Sequence, residues 1–264
     1  MRKIITCFFS FWLVCSCALA SGFSSASTGS GETRHFKAEE IISFSKKVEK
    51  TLASKGAHVA ILARMGRPLS EMPPGMHFTH VAFIVYSQIQ TADGRSFPGY
   101  SIYNLYQYDD RPDKSRLVQD YPVDFFSDVA AMEAGILIPS AELQQRILKV
   151  ISSPAYQALH DPRYSVIANP YTEGRQNCTE FTLDVINSAI YQTTDIKQLK
   201  QVAKKYFIAQ PVDVNPFKLM LGSIFSAEVA TSDHPQKPET ATFERISDYL
   251  LKYDEGAEAL TIKP

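Results

Sequence analysis

Cys178, His80 and Asn104 are the residues of this chain whose types and settings fit nucleophilic chemistry. Cys178 lies at the start of the segment Asn177–Ile190 (NCTEFTLDVINSAI), where Phe181, Val185 and Ala189 share one helical face. A thiol at a helix start meets unpaired backbone N–H groups and the positive end of the helix dipole, and both favour thiolate. The same N–H groups suit a developing oxyanion. The thiol also needs a base. Of the six histidines, His35 falls in a leader, His234 in a Pro-rich polar loop, and His58 at the start of a short strand. His80 opens the stretch Thr79–Ile89 (THVAFIVYSQI), on the face shared with Ala82, Ile84 and Tyr86. A histidine at a strand mouth can lean over a neighbouring helix N-terminus, as a Cys-His site requires. On the partner strand Tyr100–Tyr108, Asn104 shares a face with Ile102 and Tyr106. Its amide would fix the imidazole tautomer, and a one-residue slip in register would turn it away.

Each of these residues has a plainer reading. A free Cys on a helix is commonly a packed core residue, a buried His is commonly a satisfied structural one, and a polar residue in a half-exposed strand is ordinary. His77 and His80 suit a metal, but no carboxylate or further His stands at helpful spacing, so no metal site is assigned. Asn177-Cys178-Thr179 matches a glycosylation sequon, which matters only in a eukaryotic secretory pathway. A glycine-rich phosphate loop and a hydrolase-type Ser elbow are both missing from the sequence, so no cofactor is implied.

Behind these residues the pattern is α+β. Residues 38–55 read as a helix with Ile41, Phe44, Val48 and Leu52 on one face and Gly56 as its cap. Ala57–Ala63 reads as a short strand, and Met65–Gly75, with three Pro and two Gly, as a loop. Asp93-Gly94 signals a hairpin between the two long strands, with Pro98-Gly99 lengthening the connection. Ser140–Ser152 is a helix capped by Ser140, and Tyr164–Ala168 a short strand. Helices follow over Asp195–Tyr206, Pro216–Val229 and Phe243–Lys252, and Glu258–Lys263 suits an edge strand. The Pro216–Val229 helix is apolar nearly all round, so it should be buried or cover a groove. A strand hairpin dominates the first half and helices the second.

The N-terminus carries Arg2 and Lys3, an uncharged apolar run from Ile4 to Val14, and Ala18-Leu19-Ala20 ahead of Ser21. This is the pattern of a secretory signal over residues 1–20, too short to span a membrane. Residues 21–34 then form a Ser/Gly-rich leader, and residues 35–264 one domain. Val14-Cys15-Ser16-Cys17 offers a rival route, with a lipid anchor on Cys17. The expected product is exported and periplasmic. Loss of Arg2 and Lys3 takes 27 basic residues to 25 against 28 acidic ones, a net charge of −3. No basic stripe stands out, so nucleic acid is not an expected partner, and no later stretch reaches membrane-spanning length. Of four cysteines, Cys7, Cys15 and Cys17 precede the cut, which leaves Cys178 alone. A lone thiol in an oxidising compartment is buried, paired between chains, or used for chemistry.

Three blocks, Ala57–Ser70 (AHVAILARMGRPLS), Phe78–Val85 (FTHVAFIV) and Tyr164–Leu183 (YSVIANPYTEGRQNCTEFTL), resemble DUF2145, a bacterial family of exported proteins without an established activity. More distantly, the order of His on a strand, a polar residue on the next strand and Cys on a later helix resembles the circularly permuted branch of the NlpC/P60 papain-like superfamily. That resemblance implies a papain-like fold, an antiparallel sheet packed against helices. It also implies acyl hydrolysis or transfer on an amide or ester of the cell envelope. The family's Cys, His and third polar residue fall on Cys178, His80 and Asn104. The motif around the family's Cys is Asp-Cys-Ser-Gly-like, whereas Asn177-Cys178-Thr179-Glu180 retains only the Cys and its hydroxyl neighbour. The expected function is therefore an exported thiol hydrolase or acyltransferase. The alternatives are a catalytically silent papain-like binding domain with Cys178 buried, and a redox or dimer-forming thiol. Arg64 and Arg67 are expected near the His80 end of the hairpin, placed to meet a carboxylate or phosphate.

Overall fold

The computed structural model describes residues 35–91, 93–213 and 230–264; the leader and the helix expected over Pro216–Val229 lie outside them. Its centre is a six-stranded antiparallel sheet made from β1 (Val59–Met65), β2 (His80–Gln90), β3 (Ser96–Gln107), β4 (Ser115–Asp120), β5 (Ala131–Ile138) and, from the C-terminus, β8 (Glu258–Ile262). The spatial order is β4-β3-β2-β1-β5-β8. A two-stranded ribbon pairs β6 (Gln210–Pro211) with β7 (Glu239–Thr240).

Helices cover both faces. On one, α1 (Ala38–Ser54) and the short α2 (Pro122–Phe125) pack Phe44, Val48, Leu52 and Phe125 against Leu62, Ala82, Ile84 and Ile102. On the other lie α3 (Ala141–Ile151), α4 (Pro154–Ala158), α5 (Cys178–Tyr191), α6 (Ile196–Tyr206) and α7 (Phe243–Tyr253), over Ile61, Val81, Phe83 and Leu105. A sheet buried on both faces needs apolar residues at consecutive positions in its middle strands. β1 meets that demand, with every residue buried.

The helix ends follow their capping chemistry. Gly56, at φ +62, ends α1. Ser140 Oγ accepts from Leu143 N–H at 3.3 Å to start α3, and Thr242 Oγ1 accepts from Arg245 N–H at 3.2 Å to start α7. The β2–β3 hairpin turns at Gly94, whose φ of +81 only glycine adopts without strain. Pro98 and Gly99 do not lengthen this connection, because both pair within the ladder, opposite Gln88 and Ser87. The register of β4 reaches only Ile102–Gln107 of β3, so Pro98 has no outer neighbour that would require its missing N–H. The expected strand Tyr164–Ala168 contributes one bridge, Tyr164 to Gln176. No helix among the described residues is long and apolar enough to cross a membrane.

Candidate functional site

At one end of the sheet the antiparallel register sets Arg64 of β1 beside His80 of β2. Side chains alternate along a strand, so His80 shares its face with Ala82 and Ile84, the face under α1 and α2. Asn104, Tyr106 and Asp120 reach the same face from β3 and β4, and the group is closed to solvent.

Its hydrogen bonds assign the protons. Asn104 Nδ2 donates to Asp120 Oδ1 at 2.8 Å and to the Tyr106 hydroxyl at 3.1 Å, and that hydroxyl donates to Asp120 Oδ2 at 2.9 Å. Asn104 Oδ1 is then left as an acceptor, so His80 Nε2, 3.0 Å away, carries the hydrogen and Nδ1 holds the lone pair. The imidazole is stacked on Tyr106, with centroids 5.1 Å apart and planes 12° from parallel, and Phe125 lies against it at 5.6 Å. Burial and then the Arg64 guanidinium push the imidazole pKa down to about 3, against the opposing bond from Asn104. Burial pushes the Asp120 carboxyl up to about 7, with the Tyr106 hydrogen bond and Arg64 pulling the other way.

Arg64 is itself wholly buried. Its Nη1 donates to the Phe125 carbonyl, and its charge lies 5.0 Å from the centre of the Phe125 ring. Its Nε and Nη2 find no hydrogen-bond partner among the described residues. The expected position of Arg64 beside His80 is the observed one, but the guanidinium is enclosed. Arg67 ion-pairs with Glu71 at 3.6 Å.

Cys178 is the first residue of α5. Asn177 caps that helix, its Oδ1 accepting from Glu180 N–H at 2.9 Å and its Nδ2 donating to the Val166 carbonyl at 2.9 Å. The thiol is 4% exposed and belongs to the cluster that holds Val81, Phe83, Tyr164 and Phe181. The structure thus joins His80 to Asn104 and sets Cys178 in the cluster of Val81 and Phe83. His77 is partnered separately, with Glu133 at 2.9 Å.

One cluster escaped the sequence reading. Glu180 and Asp184 of α5 both hold Lys200 of α6: Nζ donates to Glu180 Oε1, and to Asp184 at 2.9 and 2.8 Å, with all three side chains buried. Gln176 Nε2 adds a bond to Asp184 Oδ2 at 3.1 Å. Burial raises the Glu180 carboxyl well above its ordinary range, with the Lys200 ammonium pulling the other way. A cavity of about 540 Å³ borders this cluster, with His160, Arg163 and Arg175 on its wall. Acids at an i, i+4 spacing in an otherwise uncharged helical segment were the available signal in the sequence.

A family model described as "Uncharacterized protein conserved in bacteria (DUF2145)" matches residues 51–250. No curated protein and no solved structure matches the chain.

Proposed function

The chain belongs to the DUF2145 family of bacteria, and from the geometry of its own residues we propose an exported, papain-like binding domain in which Cys178 is a core residue. The observation that carries this reading is the burial of Cys178, 4% exposed within an apolar cluster. A nucleophilic thiol needs a path to substrate. An imidazole held down to about 3 is also a weak proton acceptor at neutral pH. Iodoacetamide applied to the native protein should leave Cys178 unlabelled. Cys178→Ser should lower stability by about 1–3 kcal/mol, because a hydroxyl then replaces a thiol in an apolar setting. Rapid native labelling together with an undiminished melting temperature in the Ser variant removes the reading.

A second reading, thiol acyl hydrolysis or transfer on an envelope amide or ester, draws support from two observations. Asn104 holds the His80 ring in the tautomer whose Nδ1 is free of hydrogen, and Cys178 starts a capped helix of 14 residues. In it Cys178 attacks the carbonyl carbon, His80 takes the thiol proton and later returns it to the leaving group, and Asn104 orients the ring. Alkylation at Cys178 that slows in His80→Ala is the result expected of it.

A further inference from the structure

A cleft of about 430 Å³ opens where the end of α5, the end of α6 and the last turns of α7 meet the start of α3. Four tyrosines line it: Tyr191, Tyr206, Tyr249 and Tyr253. Their rings stand edge to face. Tyr253 lies 5.9 Å from Tyr206 at 75° and 5.4 Å from Tyr249 at 63°. Such contacts set the rim of one ring against the face of another. Tyr249 forms the fixed floor, its hydroxyl donating to Asn187 Oδ1 at 3.0 Å, while Tyr191 and Tyr253 are 38% and 49% exposed.

We propose that this tyrosine cleft binds a neutral saccharide. The inference rests on the binding reading of the domain and names its ligand class. Ring faces with negative quadrupoles attract the polarised C–H face of a sugar, and they bury its apolar side. The other common occupant of an aromatic cage is a quaternary ammonium ion. Lys205 and Lys252 already hold their ammonium groups 4.9 Å from the Tyr206 and Tyr253 rings, while Arg146 at the wall is paired with Glu142. A cationic ligand would compete with these two ammonium groups for the same rings. A sugar would meet hydrogen-bonding groups suited to its hydroxyls: the Tyr191 and Tyr253 hydroxyls, the Arg146 guanidinium, and the Asp254 carboxylate that Ser140 N–H orients at 2.8 Å. The volume falls in the range of small-ligand sites.

The test is a saturation-transfer NMR and calorimetric titration of the full chain with chitotetraose, cellotetraose and choline. At least one tetrasaccharide should bind and choline should not. Tyr253→Ala should weaken saccharide binding at least about tenfold with an unchanged melting temperature, while Tyr253→Phe, which keeps the ring, should retain most of it. Failure of both tetrasaccharides to bind, binding of choline alone, or unchanged affinity in Tyr253→Ala overturns the proposal. An unlabelled native Cys178 in that same protein leaves the binding reading standing, so the two failures are distinguishable.

Discussion

Asn104 is the residue on which the buried polar group turns, because its amide uses both ends. Its oxygen takes the His80 proton and its nitrogen serves Asp120 and Tyr106. Removing it strands an imidazole N–H and one carboxylate oxygen in a region closed to water, and each orphaned group costs about 1–3 kcal/mol. Asn104→Ala should therefore destabilise the fold by about 3 kcal/mol or more, read as a shift in the urea midpoint at unchanged slope. Asn104→Asp should not rescue it, because a carboxylate lacks the donor that Asp120 requires and adds a second buried acid. A loss under about 1 kcal/mol would mean that water replaces the amide and that the site is open. The face that His80 and Asn104 each take on their own strand was legible from strand period, and the register that brings the two faces together belongs to the β2–β3 ladder. The side of the sheet that α5 covers was not legible, because period two says which residues share a face but never which layer sits above it.

At the scale of elements, the legible parts were those whose pattern belongs to one segment. The apolar spacing of α1, the Ser140 cap of α3, and the helix expected over Asp195–Tyr206 each follow from residues a few positions apart. β4 and β5 escaped for opposite reasons. β4 (SRLVQD) holds two adjacent apolar residues and gains its form by pairing with β3. β5 (AMEAGILI) contains Gly135, where a side chain would meet Phe78 and Phe243 at 2.7 Å, so its glycine marks close helix packing rather than a break. Caps also differ in what they hold. Asn177 joins the start of α5 to Val166 and to Thr240 Oγ1, at 2.9 and 3.2 Å, besides capping Glu180 N–H. Asp195 is exposed and caps Lys197 and Gln198 N–H alone, at 3.0 and 3.4 Å. Asp195→Ala should cost about 1 kcal/mol, the worth of a simple cap. Asn177→Ala should cost at least about twice that, because buried partners lose their bonds as well. Thermal melts of the two variants, with equal losses as the contrary result, decide whether Asn177 serves as more than a cap.

At the scale of the whole molecule, one buried group holds two ionisable side chains whose effects on stability oppose one another with pH. His80 is held down from 6.5 to about 3, so in that interval the unfolded chain binds a proton that the folded one refuses. Its contribution is present above 6.5 and is lost as pH falls toward 3. Asp120 is raised from 3.8 to about 7, so the folded chain keeps a proton that the unfolded one releases. That contribution is present below 3.8 and is lost as pH rises toward 7. Between 3.8 and 6.5 the two slopes have opposite sign, so the stability of the pair changes less with pH than either member alone would make it. His80→Gln removes one slope and keeps a side chain able to donate to Asn104. Relative to wild type, its melting temperature should fall as pH is raised from about 4 to about 6.5, then hold a constant offset at higher pH. Asp120→Asn should show the reverse, gaining on wild type as pH rises through the same interval. A His80→Gln offset that does not change with pH would show that the imidazole titrates alike in the folded and unfolded chain. The ring would then be open to solvent protons, as an acyl-transfer base must be and a buried structural histidine is not.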